Sequence, residues 1–412
     1  MNRFFVLTYA WHGDKSLDIL FPTGWDVKVS NMAGHDAPPL TEAQIRERLT
    51  RPIGTRPLRE IAEGKKECVV IVDDLTRPTR AWQVLPAVLD ELHAGGITDG
   101  HIRFVMATGA HHFMRLGDLV KKLGEDIPDR YCVFVHNVYE NNIPLGKTSY
   151  GTPVAINREV MECDLKVAVG GIIPHMGAGF GGGGKIVLPG VASIDSIEHN
   201  HKHVRTGRGE GRIEGNTRRL DSEEAARMVG IDFIVNMIIN PNRDCCGLFC
   251  GDLVEAHREG VRVARKHYVT KIEPDVDVAV VNGYPMECEA YKALSMAAQS
   301  VREGGDAVII LHAPEGARGH YYNGRFGMGY GGRGWSPDVY TKRSWRMSRI
   351  IAVAPHHSLA DEVYYVRGSV CVKSCAEALD GLYSSHDRLA RVRVAVYPYA
   401  PIQISEKNAA LP

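Results

Sequence analysis

The sequence predicts an α/β protein of two domains, each with a mainly parallel sheet, and an active site in the cleft between them. Three observations carry that expectation. Short β-branched runs alternate with amphipathic stretches along most of the chain, the rhythm restarts after a polar, proline-containing break near residue 272, and 412 residues suffice for two cores. The expected division is 1–272, catalytic and cofactor-binding, and 273–412.

The elements follow in order. Phe4–Ala10 is apolar and reads as a first strand; the polar Trp11–Lys15 follows at once, so the long apolar core and small-residue cleavage site of a secretory signal are missing. Glu67–Val72, an amphipathic stretch with apolar residues at 82, 85, 88, 89 and 92, and Ile102–Met106 have βαβ spacing. Leu165–Val169, with Ile172 and Ile173, continues the series, a helix is expected from about Val191 to Val204, and Asp252–His267 has a clear helical pattern. Pro274 and its charged neighbours make Lys271–Asp275 a hinge before the strand Val276–Val281. Strands near Ala307–Leu311 and Ile350–Val353 and helices near Glu287–Val301 and Ser374–Leu382 complete the second unit. Between them Gly316–Gly334, with Tyr321, Tyr322, Tyr330 and nearby Trp335, reads as a long loop suited to a lid.

Composition narrows the partners. Lys plus Arg equals Asp plus Glu at 49 each, so no global field favours nucleic acid or an anionic membrane, and a small-molecule substrate is expected. No segment approaches the roughly 20 apolar residues needed to span a bilayer. Nine cysteines include no C-x-x-C pair; the tightest groups are Cys245, Cys246, Cys250 and Cys371, Cys375, which suits reduced thiols in a cytoplasm better than structural zinc.

The chemistry concentrates in Pro174–Gly190, where His175 and Lys185 flank glycines at 177, 179 and 181 to 184. So many missing side chains predict unusual dihedrals and close approach to a bound group. Gly179 to Lys185 also fits the start of a phosphate-binding loop, G-x-x-x-x-G-K, but Ile186 stands where Ser or Thr would hold magnesium, and Pro189 and Gly190 interrupt the helix that should follow. Two more polar loops follow strands: Asp73–Thr79 and Ala107–His112. Loops at the carboxyl ends of strands converge on the ligand crevice of an open α/β sheet, so Asp74, Arg77, His111, His175 and Lys185 are expected to meet. A dense histidine cluster lies at 198–203; His199 and His203 would share a helix face and could bind a metal, while His201 would point elsewhere.

These motifs together resemble the nickel-dependent lactate racemase family. The resemblance rests on Asp-Asp-Leu-Thr-Arg-Pro at 73 to 78, Ala-Thr-Gly-Ala-His at 107 to 111, the Pro-His and glycine motif ending at 190, and a histidine sixteen residues beyond the lysine, and it runs loosely along the whole chain. It implies a nickel pincer nucleotide joined covalently to Lys185, with Asp74, Thr76, Gly182 and Gly183 around the cofactor and His201 as the protein ligand to the metal. It further implies His111 and His175 as acid and base. One takes the hydroxyl proton of a 2-hydroxy acid while hydride leaves C2 for the pincer ring, and return of hydride to the other face inverts the carbon. Arg77 would clamp the substrate carboxylate. Partners implied are separate cofactor-building proteins, with a second copy of the chain also expected.

The chain departs from that pattern in its second half. Gly283-Tyr-Pro and Tyr291 match, but Lys292 and Ser295 stand where the family has glutamine and lysine, so Tyr291, Lys292 and Ser295 are expected to line the substrate end and to change the substrate, a sugar acid being one option. The alternatives are a non-catalytic metal- or ligand-binding homologue and a nucleotide-dependent enzyme using the glycine-rich loop.

Overall fold

The computed structural model describes residues 1–289, 292–316, 346–358, 369–386 and 391–412. Two six-stranded sheets dominate. The first runs, from edge to edge, Cys245–Gly251, Phe233–Ile239, Leu165–Gly171, Cys68–Asp73, Ile102–Ala107, Cys132–Val135, parallel throughout except for the antiparallel edge strand Cys245–Gly251. The second runs Val370–Val372, Arg349–Val353, Val301–Ile310, Val276–Asn282, Arg393–Tyr397, Asp26–Val29 and is entirely parallel.

Strands buried on both faces need unbroken apolar runs, and Cys68–Asp73 and Leu165–Gly171 are buried at every position. One face of the first sheet packs Val70, Val72, Phe104 and Met106 against Leu85, Val88 and Leu92 of the helix Leu85–Ala94. The other packs Val69, Ile71 and Val105 against Val187, Leu188, Val191 and Ile197, so the segment following the glycine run is itself part of the core. Each such side chain contributes roughly 1.5–3 kcal/mol when fully buried.

Most elements lie where periodicity predicts, with ends shifted by a few residues. The first strand is Asn2–Thr8; it forms an antiparallel hairpin with Lys15–Phe21. The helix expected over 82 to 92 is a short 3₁₀ turn, Ala81–Gln83, followed by Leu85–Ala94, because Pro86 suits the first turn of a helix and not its interior. The helix expected at Glu287–Val301 is Leu294–Ser300 within the described residues, and Val301 already begins the strand Val301–Ile310. Most of the expected lid, 317 to 334, lies outside the described residues.

The 272/273 division separates the sheets along most of the chain, but not at its start. Asp26–Val29 is an edge strand of the second sheet, and Val6, Ile19, Phe21 and Trp25 pack against Val278, Val280, Val308 and Ile310.

Strand order places the crevice. The chain builds outward from Cys68–Asp73 to Cys132–Val135, then returns to the other side of Cys68–Asp73 with Leu165–Gly171. The reversal leaves a crevice at the carboxyl ends of Cys68–Asp73 and Leu165–Gly171, the position at which open α/β sheets bind ligands.

Candidate active site

The crevice is spanned first by a side chain. Asp73, at the end of its strand, accepts from the Gly171 amide across the reversal point at 3.0 Å and from the Thr79 hydroxyl at 2.9 Å. Lys122, with no exposed side-chain surface, pairs with Asp73 at 2.5 Å and donates to the carbonyls of Asp74, Arg77 and Thr79. One ammonium therefore shapes the entire 73–79 loop. Burial raises the pKa of Asp73 and lowers that of Lys122, and their mutual attraction opposes both shifts.

Within this loop Asp74 accepts from the Thr76 amide at 3.0 Å and hydroxyl at 2.5 Å through Oδ1, while Oδ2 lies 2.8 Å from His111 Nδ1. A carboxylate can only accept here, so Nδ1 of His111 carries a proton, and in the neutral ring Nε2 is the acceptor. The Arg77 Nη1 donates to the Thr76 carbonyl and hydroxyl and to Glu289 Oε1 at 3.2 Å.

His175 is set the opposite way. Its Nδ1 accepts from the backbone amides of Gly177 at 3.1 Å and Ala178 at 3.2 Å, so the neutral ring carries its proton on Nε2. Burial, and then the charges of Lys185, Lys292, Arg77 and Arg218, hold its pKa well below the ordinary value, so the ring is neutral near pH 7.

Lys185 sits in a 3₁₀ turn, Gly183–Ile186, and is 9% exposed. No hydrogen bond to its ammonium occurs among the described residues. Burial and then Arg77, Arg219, Arg218 and Lys292 push its pKa well down, which favours the neutral, nucleophilic amine. The chain then folds back, Gly190 donating to the Lys185 carbonyl at 3.2 Å and accepting from the Gly109 amide at 2.8 Å, which joins the glycine loop to the 107–112 loop. No helix follows the lysine directly, so the strand–loop–helix setting of a phosphate-binding loop is missing.

What the glycines at 182 and 183 clear space for is the protein itself. Both have left-handed φ, +69° and +56°, and a Cβ would lie 2.6 Å from Asn236 Oδ1 at Gly182 and 2.9 Å from His257 Cγ at Gly183. The expectation that loop glycines admit a bound group is therefore corrected at these two positions. Asn236 accepts from the Gly183 amide at 2.9 Å, and His257 Nε2 donates to the Gly181 carbonyl at 2.8 Å. Arg219, fully buried, reaches the carbonyls of Ala178, Phe180, Gly181 and Gly182.

His201 lies on the helix Ile194–Lys202 and donates Nδ1–H to the Ile197 carbonyl at 3.0 Å, which leaves Nε2 as an acceptor. It lines one pocket with Asp74, Arg77, His111, Gly182 and Lys185. His199 is turned elsewhere, its Nδ1 2.9 Å from the Thr152 hydroxyl, and its ring stands 5.0 Å from that of His203. Among the described residues no group of three or more His, Cys, Asp or Glu could hold a metal by itself, so the His199–His203 pair lacks a third ligand.

The second-half residues separate. Lys292 pairs with Glu289, which also meets Arg77. Ser295 instead donates to the half-buried Glu210 Oε2 at 3.1 Å, which also takes a bond from Asn408. Tyr291 lies outside the described residues. Sequence reading missed Lys122, Arg219, Asn236, His257 and Glu289. Glu289 alone carried a signal, two residues from Tyr291.

The model of the lactate racemase N-terminal domain matches residues 12–211. A lactate racemase of Thermoanaerobacterium thermosaccharolyticum is 32% identical over 289 residues, 67% of this chain and 66% of that protein. One of Lactiplantibacillus plantarum is 31% identical over 290 residues, 68% of each. The structure of the lactate racemase apoprotein from Thermoanaerobacterium thermosaccharolyticum superposes with a TM-score of 0.74 at 25% identity, covering 98% of this chain and 100% of that one. A Thermotoga maritima protein shares the fold, with a TM-score of 0.64 at 19% identity over 89% of this chain and 99% of that one. Motifs, fold and relatives agree: the chain belongs to the lactate racemase family.

Proposed function

We propose that this chain is an isomerase that inverts C2 of a 2-hydroxy acid in the crevice at the carboxyl ends of Cys68–Asp73 and Leu165–Gly171. The observation that carries the reading is a pair of imidazoles with opposite proton placement, His111 ready to accept and His175, with Arg77 and Lys292 bearing on it, ready to donate.

A nickel pincer nucleotide fits the residues present. Lys185 offers a buried amine without a hydrogen-bond partner among the described residues, and His201 offers an imidazole nitrogen whose ring is fixed from behind, as metal-binding histidines require. Lys185 would tether the group, His201 would ligate its nickel, and Asp74 and Thr76 would stand beside it. When bound, the group supplies a reversible hydride acceptor.

The chain's own residues do the rest. Arg77 holds the substrate carboxylate, and Lys292 lies beside it through Glu289. His111 Nε2 takes the hydroxyl proton, with Asp74 fixing its tautomer. His175 donates Nε2–H to the same oxygen. For His175 to act as the base toward the other enantiomer, its ring must leave the Gly177 and Ala178 amides. Cofactor-building proteins are the partners this scheme requires.

The test is intact mass, peptide mapping and nickel content of protein co-expressed with cofactor-building enzymes, followed by chiral analysis of 2-hydroxy acids incubated with it. A nickel-bearing adduct on Lys185 together with C2 inversion is the expected result. An unmodified Lys185 under conditions that load a known family member would overturn it.

A further inference from the structure

The two cations of the substrate end already share an internal anion. Glu289 Oε1 lies 3.2 Å from Arg77 Nη1, and its other oxygen contacts the Lys292 ammonium; side-chain exposures are 15%, 10% and 7% for Arg77, Glu289 and Lys292. Burial works against the Glu289 carboxylate, yet Lys292, Arg77 and His111 overcome it and hold its pKa at about 2. The carboxylate is therefore permanently charged at neutral pH.

We propose, resting on the racemase reading above, that Glu289 sets the charge of this site so that it takes 2-hydroxy acids with one carboxylate and an uncharged, hydroxyl-bearing tail. Arg77 and Lys292 together with Glu289 leave one positive charge, which a single substrate carboxylate neutralises. A second carboxylate would enter a buried cluster that already holds Glu289 and Asp74, and like charges out of water repel strongly. Among the described residues Arg218 and Arg219 also bear on the site, both from the Lys185 side, Arg218 donating to the His201 carbonyl at 2.7 Å and Arg219 to the glycine-loop carbonyls. Tail hydroxyls can donate to Glu289 and accept from Lys292, whereas a methyl group would leave this buried polar pair facing hydrocarbon.

Gluconate and glucarate share a carbon chain and differ in the charge of the far end, so they isolate the effect. Calorimetric binding to the cofactor-loaded protein should favour gluconate by about tenfold or more, Glu289→Gln should move the ratio toward glucarate by about tenfold, and Glu289→Asp should keep the wild-type order. Equal or reversed binding by the wild type, binding of neither acid, or a ratio unmoved in a folded Glu289→Gln protein would overturn the proposal. Chiral analysis of the same samples separates the two readings. Inversion at C2 with an unmoved ratio removes the role of Glu289 and leaves the racemase standing, whereas a moved ratio without inversion of either acid does the opposite.

Discussion

His111 and His175 are the same side chain in two different frames. His111 is backed by a carboxylate that dictates its proton through one bond and, in the proposed reaction, leaves Nε2 as the base. His175 is backed by two backbone amides, and burial and then the surrounding cations keep it neutral and leave Nε2 as a donor. The difference teaches that a site able to run a reaction in both directions need not be symmetric at rest. A side-chain partner such as Asp74 can follow a proton on and off the ring, whereas amide donors cannot.

The largest expected effect tests that asymmetry directly. His111→Gln should lower inversion of the preferred enantiomer by roughly 10³- to 10⁴-fold, while His175→Gln, which keeps an N–H donor, should lose only about 10- to 100-fold, as kcat from chiral chromatography would report. Equal losses would mean that both rings serve as bases. Next is the scaffold beneath His175. Arg219→Gln strips the loop carbonyls of Ala178, Phe180 and Gly182 of their side-chain donor and should cost about 3 kcal/mol in urea unfolding, with loss of His175 function following from loop disorder. A destabilisation below about 1 kcal/mol would show that the loop holds itself.

The acid response comes third. His136 is pushed down to about 4 by burial, against its bond to the Ala192 carbonyl. The unfolded ring takes up its proton near 6.5 and the folded ring only near 4, so stability is complete above about 6.5 and lost as pH falls to about 4, by at most roughly 3 kcal/mol from this one residue. His175 and His257 are shifted in the same direction and add to the loss. Urea midpoints at pH 7, 5.5 and 4.5 should fall steadily in the wild type and less steeply in His136→Asn; parallel slopes would remove His136 as a cause. The smallest effect is on the His111 side. Thr76→Val deletes the hydroxyl bonded to Asp74 and should reduce stability by about 1 kcal/mol with activity falling severalfold, measured by thermal melting and kcat. Unchanged activity would show that Asp74 orients His111 unaided.

How much of this was legible follows a physical divide. Strands buried on both faces announce themselves by composition, so Cys68–Asp73 and Leu165–Gly171, and the loops at their ends, could be read from the sequence. The helix Thr217–Val229 could not, because Arg219, Asp221, Ser222 and Glu223 are all buried and blur its apolar face. For the same reason the glycine loop looked like a cradle for a ligand when its nearest neighbours at 182 and 183 are Asn236 and His257. Sequence reading placed Lys292 and Ser295 together at the substrate end; only geometry separates the Glu289 pair from the Glu210 bond.

The edge strand Asp26–Val29 carries a consequence for how the protein is made. Its partner, Arg393–Tyr397, leaves the ribosome on the order of a minute after it at ordinary synthesis rates. During that interval the apolar residues Val6, Ile19, Phe21 and Trp25 have no sheet to cover, while every strand of the first sheet is already available to fold. Assembly of the second sheet is thus a late, long-range closure, slow by its topology. A nascent chain stalled before residue 393 would hold every strand of the first sheet beside an uncovered N-terminal hairpin, a target for chaperones.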